Sequence, residues 1–488
     1  MHSGTYDHTN DNRKGAIPVK NFFSKIGTAI EKIPRKIPRK IQITILILTT
    51  ILLLALILVL VSTCLRRDDE DEIITLTYSN WNLDTNHDNA LELRMIQSFM
   101  DQHPNIRIEI DRNISSPWTD SIAAASRDNR MPDVFMVEDI SVKAANGWLM
   151  DITTRVWADL DFFDLAGAIQ EAMRIGNTIY AIPFGQIIQG YFVNRELFEW
   201  LGIEPPSFGV SAEEFIQMAR AATNVNRPSV GLNSVFSFVE WYPGAVNPLL
   251  NFFAFDGLGF ALDSPEMLEA VRVAAQLRGE GYVFDGLIDT SPFPSGNALG
   301  AFRDGQIAFF HGGTWHSDLM IQQLDFDWEF IGVPGGRSVI SLEVLGISST
   351  TLHPDEAYLF AKWMGHGTEG SLRRLQYARE MGIIPVSLPV TQNSEVVDEL
   401  LQILPVPGLQ QVYAALDRAL VDGLRVLPGY MQARFTAPTG IDVNESVNIG
   451  VDALIRYSIM GYTYFPDNSR LAQDVARNQL DAALAAVR

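Results

Sequence analysis

A run of 23 residues without a charged side chain, 41–63 (IQITILILTTILLLALILVLVST), constrains this chain more than any other stretch. At 1.5 Å per residue, a helix of that length crosses a hydrocarbon core of ~30 Å. A soluble helix would show a charged face, and this run has none. Its upstream flank repeats a basic unit, IPRK-IPRK, and its downstream flank turns acidic after two arginines, RRDDEDE. The Lys/Arg bias places the N-terminus in the cytoplasm and everything beyond the span outside. The sequence therefore predicts a basic cytoplasmic tail at 1–40, a transmembrane anchor or signal segment at 41–63, a linker at 64–72 and an outer part from 73 onward.

The chain has one cysteine, Cys64, which ends that span in Val61-Ser62-Thr63-Cys64. The phrase resembles a bacterial lipobox, with Val and Ser in fitting positions and Thr where Gly, Ala or Ser is usual. Two anchors are thus open: a retained span, or a lipid on Cys64 after cleavage. A lone cysteine also rules out a disulfide framework and any Cys-rich metal site.

Charge divides the chain. Nine Lys/Arg against three acids give residues 1–40 a net +6, so of the overall −21, residues 65–488 carry −27. A surface that acidic repels phosphate backbones, and nucleic acid is not an expected partner. With 47% hydrophobic and 19% charged residues, the composition is that of a globular chain.

Beyond 73, short apolar strands alternate with helical patterns. Residues 73–78 read as a strand. Leu91, Met95, Ile96 and Phe99 mark a helix over 89–103 that Pro104 stops. Residues 106–110 (IRIEI) alternate as a half-buried strand, and 134–137 read as a buried one. This rhythm predicts a largely parallel α/β sheet with ligand at the carboxyl ends of the strands. Residues 211–323 read as mostly helical, strands return near 329–332 and 342–348, and the last hundred or so residues read as helical.

Several phrases, in order, resemble the extracellular solute-binding proteins of bacterial ABC importers, most of all the sugar-binding group that includes maltose-binding protein. ITLTYSNWN is followed by FMDQHPNIRIEI, then PDVFMVED and GWLMDIT. GNTIYAIPFGQIIQGYFVNRELFEWLGIEPP (176–206) is similar to the group's "G-K-x-Y-G-I-P … Y-Y-N-K-x-L-F-x-x-x-G-I-x-P-P" almost position for position. AFRDGQIAFFHGGTW, GISSTTLHPDEAYLFAKWM and GIIPV follow in the expected order. The resemblance covers about 73–390. It implies a type II periplasmic-binding-protein-like fold with an interlobe cleft: lobe 1 from 73–185 and 333–385, lobe 2 from 186–332 and 386–488. The crossovers are expected near 184–188, 332–336 and 384–387, and closure around solute would be a hinge motion. It further implies capture of a sugar or oligosaccharide for separate permease subunits, without enzymatic chemistry or a cofactor. A ligand-sensing ectodomain of the same fold is the alternative, although 1–40 holds no recognisable signalling domain.

A site that reads a sugar needs flat aromatics for ring faces and rigid polar groups for ring edges. Trp81 and Asp84 follow the first strand, and Glu138 and Asp139 end the PDVFMVE strand, both at the expected cleft edge. The resemblance adds Gln186 in the first crossover, Glu240, Trp241 and Tyr242 in FVEWYPG, Trp315 in HGGTW, and Tyr430 in a region where relatives often carry Trp. No Arg or Lys is among these residues, so a neutral sugar is the expected solute and a cationic one the runner-up.

Competing chemistries lack their parts. Paired carboxylates are everywhere by chance among 58 Asp/Glu, and no phrase resembles a hydrolase signature. His311 and His316 are five apart, off the spacing that would put two metal ligands on one helical face. There is no G-x-S-x-G and no phosphate-binding P-loop.

Overall fold

The computed structural model describes residues 73–84, 89–224 and 228–487, with isolated positions between 38 and 53. Most of the 41–63 run and Cys64 lie outside the described residues. Within that run, Thr44, Leu48, Thr49, Thr50, Leu52 and Leu53 are helical, and no helix among the described residues is long and apolar enough to cross a membrane.

Alternation builds the first strands as the sequence expects. Strand β1 (Ile74–Ser79) buries Leu76 and Tyr78, and β2 (Ile106–Ile110) buries Ile106 and Ile108. Between them the helix Asn89–Gln102 buries Leu91, Met95, Ile96 and Phe99 against the sheet. Phe99 and Tyr78 both meet Phe360 edge-on at 5.0 Å. Each such fully buried ring contributes about 1.5–3 kcal/mol. The short β3 (Val134–Met136) lies parallel to β1, so both strands deliver the residues after them to one edge of the sheet.

Six further strands complete it: β4 (Ala181–Asn194), β5 (Val230–Leu232), β6 (Ile307–Gly313), β7 (Trp328–Phe330), β8 (Val339–Ile347) and β9 (Leu420–Val421). The order is β2-β1-β3-β8-β4-β6-β5, with β9 beside β8 and β7 beside β4. The largely parallel sheet expected from the sequence is in fact mixed. β8 runs antiparallel to both β3 and β4, and β4 runs antiparallel to β6 and β7. The reason is geometric: β4 and β8 carry the chain across the molecule in opposite directions.

The segments expected as crossovers lie on or beside those two strands. The crossover at 184–188 is the middle of the 14-residue β4, and the one at 332–336 is a glycine turn that leads into β8. The third segment, 384–387, runs along the other edge of β4, where Leu388 exchanges both backbone hydrogen bonds with Gln186 at 2.9 and 2.8 Å. Gly185 allows this approach, since a Cβ there would lie 2.1 Å from the Ser387 hydroxyl.

Two hydrophobic cores flank the crossing strands. One gathers Leu76, Phe99, Phe135, Phe360 and Leu375; the other gathers Tyr191, Phe215, Trp241, Phe309 and Leu454. The helix Ser394–Ile403, assigned to lobe 2 from the sequence, packs along Thr368–Met381, with Val396 and Leu400 in the first core.

Candidate functional site

Trp81 stands two residues beyond β1 and is held on three sides. Its Nε1–H donates to Glu343 Oε1 at 3.2 Å, its ring meets Trp118 edge-on at 5.4 Å, and the Arg425 guanidinium lies over it at 5.6 Å. Trp118 is itself pinned, donating from Nε1 to the Met136 carbonyl at 2.8 Å. Glu343 is a lone charge in the apolar strand VISLEVLGI and is only 8% exposed. Burying a carboxylate is costly unless donors reach it, and the Trp81 N–H is one.

The floor of this group is built by strand register. Ser341 and Glu343 of β8 face the same way as Ile187 and Gly185 of β4, their direct partners. Gln189 donates from Nε2 to Ser341 Oγ at 2.9 Å, and Ser341 donates to Asp422 Oδ2 at 2.8 Å. The other oxygen of Asp422 caps the short helix Gly423–Val426 by accepting from Leu424 N at 3.0 Å. That helix carries Arg425. A hydrogen-bonded chain therefore runs from one crossing strand to the other and on to the residue above Trp81.

Glu138 closes the edge beside Trp118. Its Oε2 is 2.8 Å from Lys143 Nζ, and Thr119 donates to its Oε1 at 3.3 Å. Lys143 is fully buried and also donates to Thr119 Oγ1 at 2.6 Å. The sequence expected no Arg or Lys near the site, and the fold brings two, Lys143 and Arg425. Distance along the chain hid Arg425, and the helical position of Lys143 gave no sign of its burial.

The other candidates separate into structural roles. Asp139 caps the helix Ile140–Ala145, accepting from Ser141 Oγ at 2.6 Å and Val142 N at 3.1 Å. Gln186 is fully buried and donates to the Pro389 carbonyl at 2.7 Å, which ties the crossover together. Trp241 is 0% exposed and donates to Tyr191 OH at 3.2 Å, so no solute reaches it. Tyr242 stacks on Phe238 at 6.3 Å and 15° in the same core. Glu240 pairs with Arg434 at 2.6 Å, and Arg434 also meets Asp452 at 2.9 Å and the Tyr430 hydroxyl. Burial alone would lower Arg434, but Tyr430, Glu240 and Asp452 raise it well above the usual guanidinium value. Glu240 and Tyr430 thus hold a buried cation. The backbone of Asp84 ends the turn after β1, and its side chain lies outside the described residues.

Trp315 is 43% exposed and lines a cavity of about 240 Å³ with Asp318, Gln322 and the turn Gly382, Ile384, Pro385 and Val386. That turn leads to Leu388, on the edge of β4 opposite β8. A larger cavity of about 580 Å³ lies on the other face of residues 421–427. Val421, Gly423, Val426 and Leu427 line it, whereas Asp422 and Arg425 point to the Ser341 and Trp81 side. Its walls mix apolar residues, Leu249, Leu250, Phe252, Phe255 and Leu484, with charged ones, Arg174, Asp256, Arg337 and Asp417. The indole with fixed polar groups around it is Trp81, which lies outside this cavity.

No group of His, Cys, Asp and Glu among the described residues is arranged to hold a metal ion. Burial, with His316 nearby, pushes His311 down to about 4, so its imidazole is neutral at pH 7.

Trp118, Thr119, Gln189, Ser341, Asp422 and Arg425 escaped the sequence reading. Only Glu343 carried a signal, as a single charge inside an apolar run.

Residues 94–401 match the family model of the bacterial extracellular solute-binding proteins, and the chain belongs to that family. Its members and fold neighbours are binding proteins for transport, not enzymes. The fold is similar to that of a cyclic alpha-maltosyl-1,6-maltose binding protein from Arthrobacter globiformis, with a TM-score of 0.63 and 17% identity over 84% of this chain and 99% of that one. It is similar to a sugar transporter protein from Rhizobium etli in an open conformation (TM-score 0.62, 17% identity, 85% and 100% covered). The sugar-binding protein MalE from Xanthomonas citri gives 0.60 at 13% identity, covering 84% and 97%. At such identities the likeness establishes the two-lobed α/β fold. No curated protein sequence shows a significant match to the chain.

Proposed function

We propose that this chain captures a neutral sugar or oligosaccharide in the cleft between its lobes and presents it to the permease of an ABC importer. The observation that carries the reading is the Trp81 group: an indole fixed by Glu343 and Trp118, beside the row Gln189–Ser341–Asp422 on the crossing strands. A ring face and fixed ring-edge partners are what a sugar requires. Trp315, half-exposed across β4 from β8, is a second stacking surface of the same kind. The similar structures include one named for binding cyclic alpha-maltosyl-1,6-maltose and one named as a sugar-binding protein, which supports the substrate class.

Tethering at the membrane rests on 41–63 and its basic upstream flank, either as a retained span or through a lipid on Cys64. The permease and the ATPase are then separate subunits, since the chain has one such run and no nucleotide motif. A carbohydrate panel read by thermal shift tests the reading. A cognate sugar at 100 times its Kd stabilises by about 2.7 kcal/mol, and a panel without a single shift rejects it. Small-angle scattering tests the hinge: the radius of gyration falls on saturation, and an unchanged radius rejects closure.

A further inference from the structure

Trp81, Trp118 and Glu343 together have the composition of a cation cage: one ring presenting its face, a second meeting it edge-on, and a carboxylate on the indole N–H. The chain itself supplies a cation to this cage. Arg425 lies over the Trp81 ring at 5.6 Å, and among the described residues this is its one polar or charge interaction. Its Nε is shut off from solvent with no hydrogen-bond partner. Its helix is anchored from below by Asp422 on Ser341, so the guanidinium is held over the ring by the sheet floor. The terminal guanidinium nitrogens are not sealed as Nε is and also have no acceptor among the described residues, so they are the donors open to an incoming oxygen. The remaining charges of the group, Lys143 and Glu138, are paired with each other.

We propose that Arg425 sets the selectivity of the Trp81 site: as a built-in cation it excludes cationic solutes from the indole face, and its unused N–H groups take ring-edge oxygens of a neutral solute. This rests on the Trp81 group being the solute site. A cationic solute would have to displace a charge identical in sign to its own and tethered in place. A sugar meets a donor fork instead, with Glu343 and Asp422 nearby as acceptors.

Choline, a quaternary ammonium cation, is the probe, and binding is read by calorimetry on the full chain and on Arg425→Ala, Arg425→Gln and Arg425→Lys. The two neutral variants should bind choline at least about tenfold more tightly than the native chain. Arg425→Lys should stay close to native. The double variant Trp81→Ala/Arg425→Ala should lose the gain, which assigns it to the indole face. Equal choline affinity in the native chain and both neutral variants overturns the proposal, as does a gain that survives removal of Trp81. Among the described residues Arg425 makes no hydrogen bond, so its variants should fold, and a thermal melt of each confirms this. The sugar arm is separate. A gain in choline binding with no sugar bound by the native chain keeps Arg425 as the cation barrier and rejects the sugar reading. A bound sugar whose affinity is unchanged in Arg425→Ala, with no choline gain, rejects the role of Arg425 alone.

Discussion

His366 Nε2 lies 2.9 Å from Asp159 Oδ2, with both side chains closed off from solvent. Lys362 and Tyr358 donate to the same carboxylate at 2.5 and 3.0 Å, so one acid ties the helix Pro354–Met364 and the turn after it to the segment before Leu160. Burial alone would raise the Asp159 carboxyl. The hydrogen bonds and charges of His366 and Lys362 outweigh it and hold the group well below the usual carboxylate range.

A depressed carboxylate stabilises the fold above its unfolded value of about 3.9 and loses that contribution as the pH falls through the folded value. Asp159→Asn should therefore lower stability at pH 7 by about 3 kcal/mol, at the lower end for a buried pair because Lys362 keeps Asp161 at 3.0 Å. Urea titrations at several pH values check this. The gap between the native chain and the variant should narrow as the pH drops below about 4. A loss under about 1 kcal/mol at pH 7 would count against the pairing.

Two tryptophans separate binding from packing. Trp241→Ala empties a fully buried site among Tyr191, Phe215 and Phe238, and should cost about 3–5 kcal/mol of stability. Its folded fraction should keep native affinity for sugar. Trp81→Ala should act mainly on binding, with a roughly 5- to 150-fold loss of affinity and a smaller stability loss of about 1–3 kcal/mol from the Glu343 carboxylate left without that donor. Trp315→Ala belongs with Trp81 in direction, because its ring is half-exposed on the cavity with Ile384 and Val386. Calorimetry and melting curves on the three variants decide the matter, and an inverted pattern would exchange the roles of platform and core.

Glu240 was expected at the ligand and instead faces Arg434 at 2.6 Å. Glu240→Gln should lower stability by about 1–2 kcal/mol while sugar affinity stays within a factor of about two. A large loss of affinity without a loss of stability would return Glu240 to the cleft.

Ser341→Ala cuts the link between Gln189 and Asp422. The direct cost to stability should be about 1 kcal/mol. The larger effect should be on binding, since the helix that carries Arg425 loses its anchor on the sheet. A several-fold fall in affinity, seen also in Asp422→Ala, is the expected outcome. Native affinity in both variants would show that Arg425 is positioned by other means.

Local pattern was enough for the strands and helix that open the outer part. The alternation of Ile106–Ile110, the spacing of Met95 and Phe99 and the stop at Pro104 are properties of neighbouring residues, and each element formed within a residue or two of its expected bounds. Strands Val230–Leu232 and Ile307–Gly313 were missed, because they are buried on both faces or glycine-rich and show no alternation to read. Trp81 and Glu138 were legible as ligand candidates for a related reason: a parallel strand delivers the residue after it to a known edge.

The rest of the site needed the tertiary fold. Trp81 and Glu343 meet across 262 positions of sequence, Ser341 and Asp422 across 81. Nothing in residue order says which way a side chain of a crossing strand points until its register with the partner strand is set. Aromatic neighbours misled for the same reason. Trp241 stands beside an acid in the sequence and Tyr430 follows a Pro-Gly turn, yet helix packing turns both rings into the core and leaves Trp81 at the rim. Sequence by itself determined the membrane-length apolar run, the charge division and the elements that open the outer part, because those depend on composition and short-range period. Which aromatics are buried, and that a cation covers one of those left at the rim, was decided by tertiary structure, because burial is set by what packs from far along the chain.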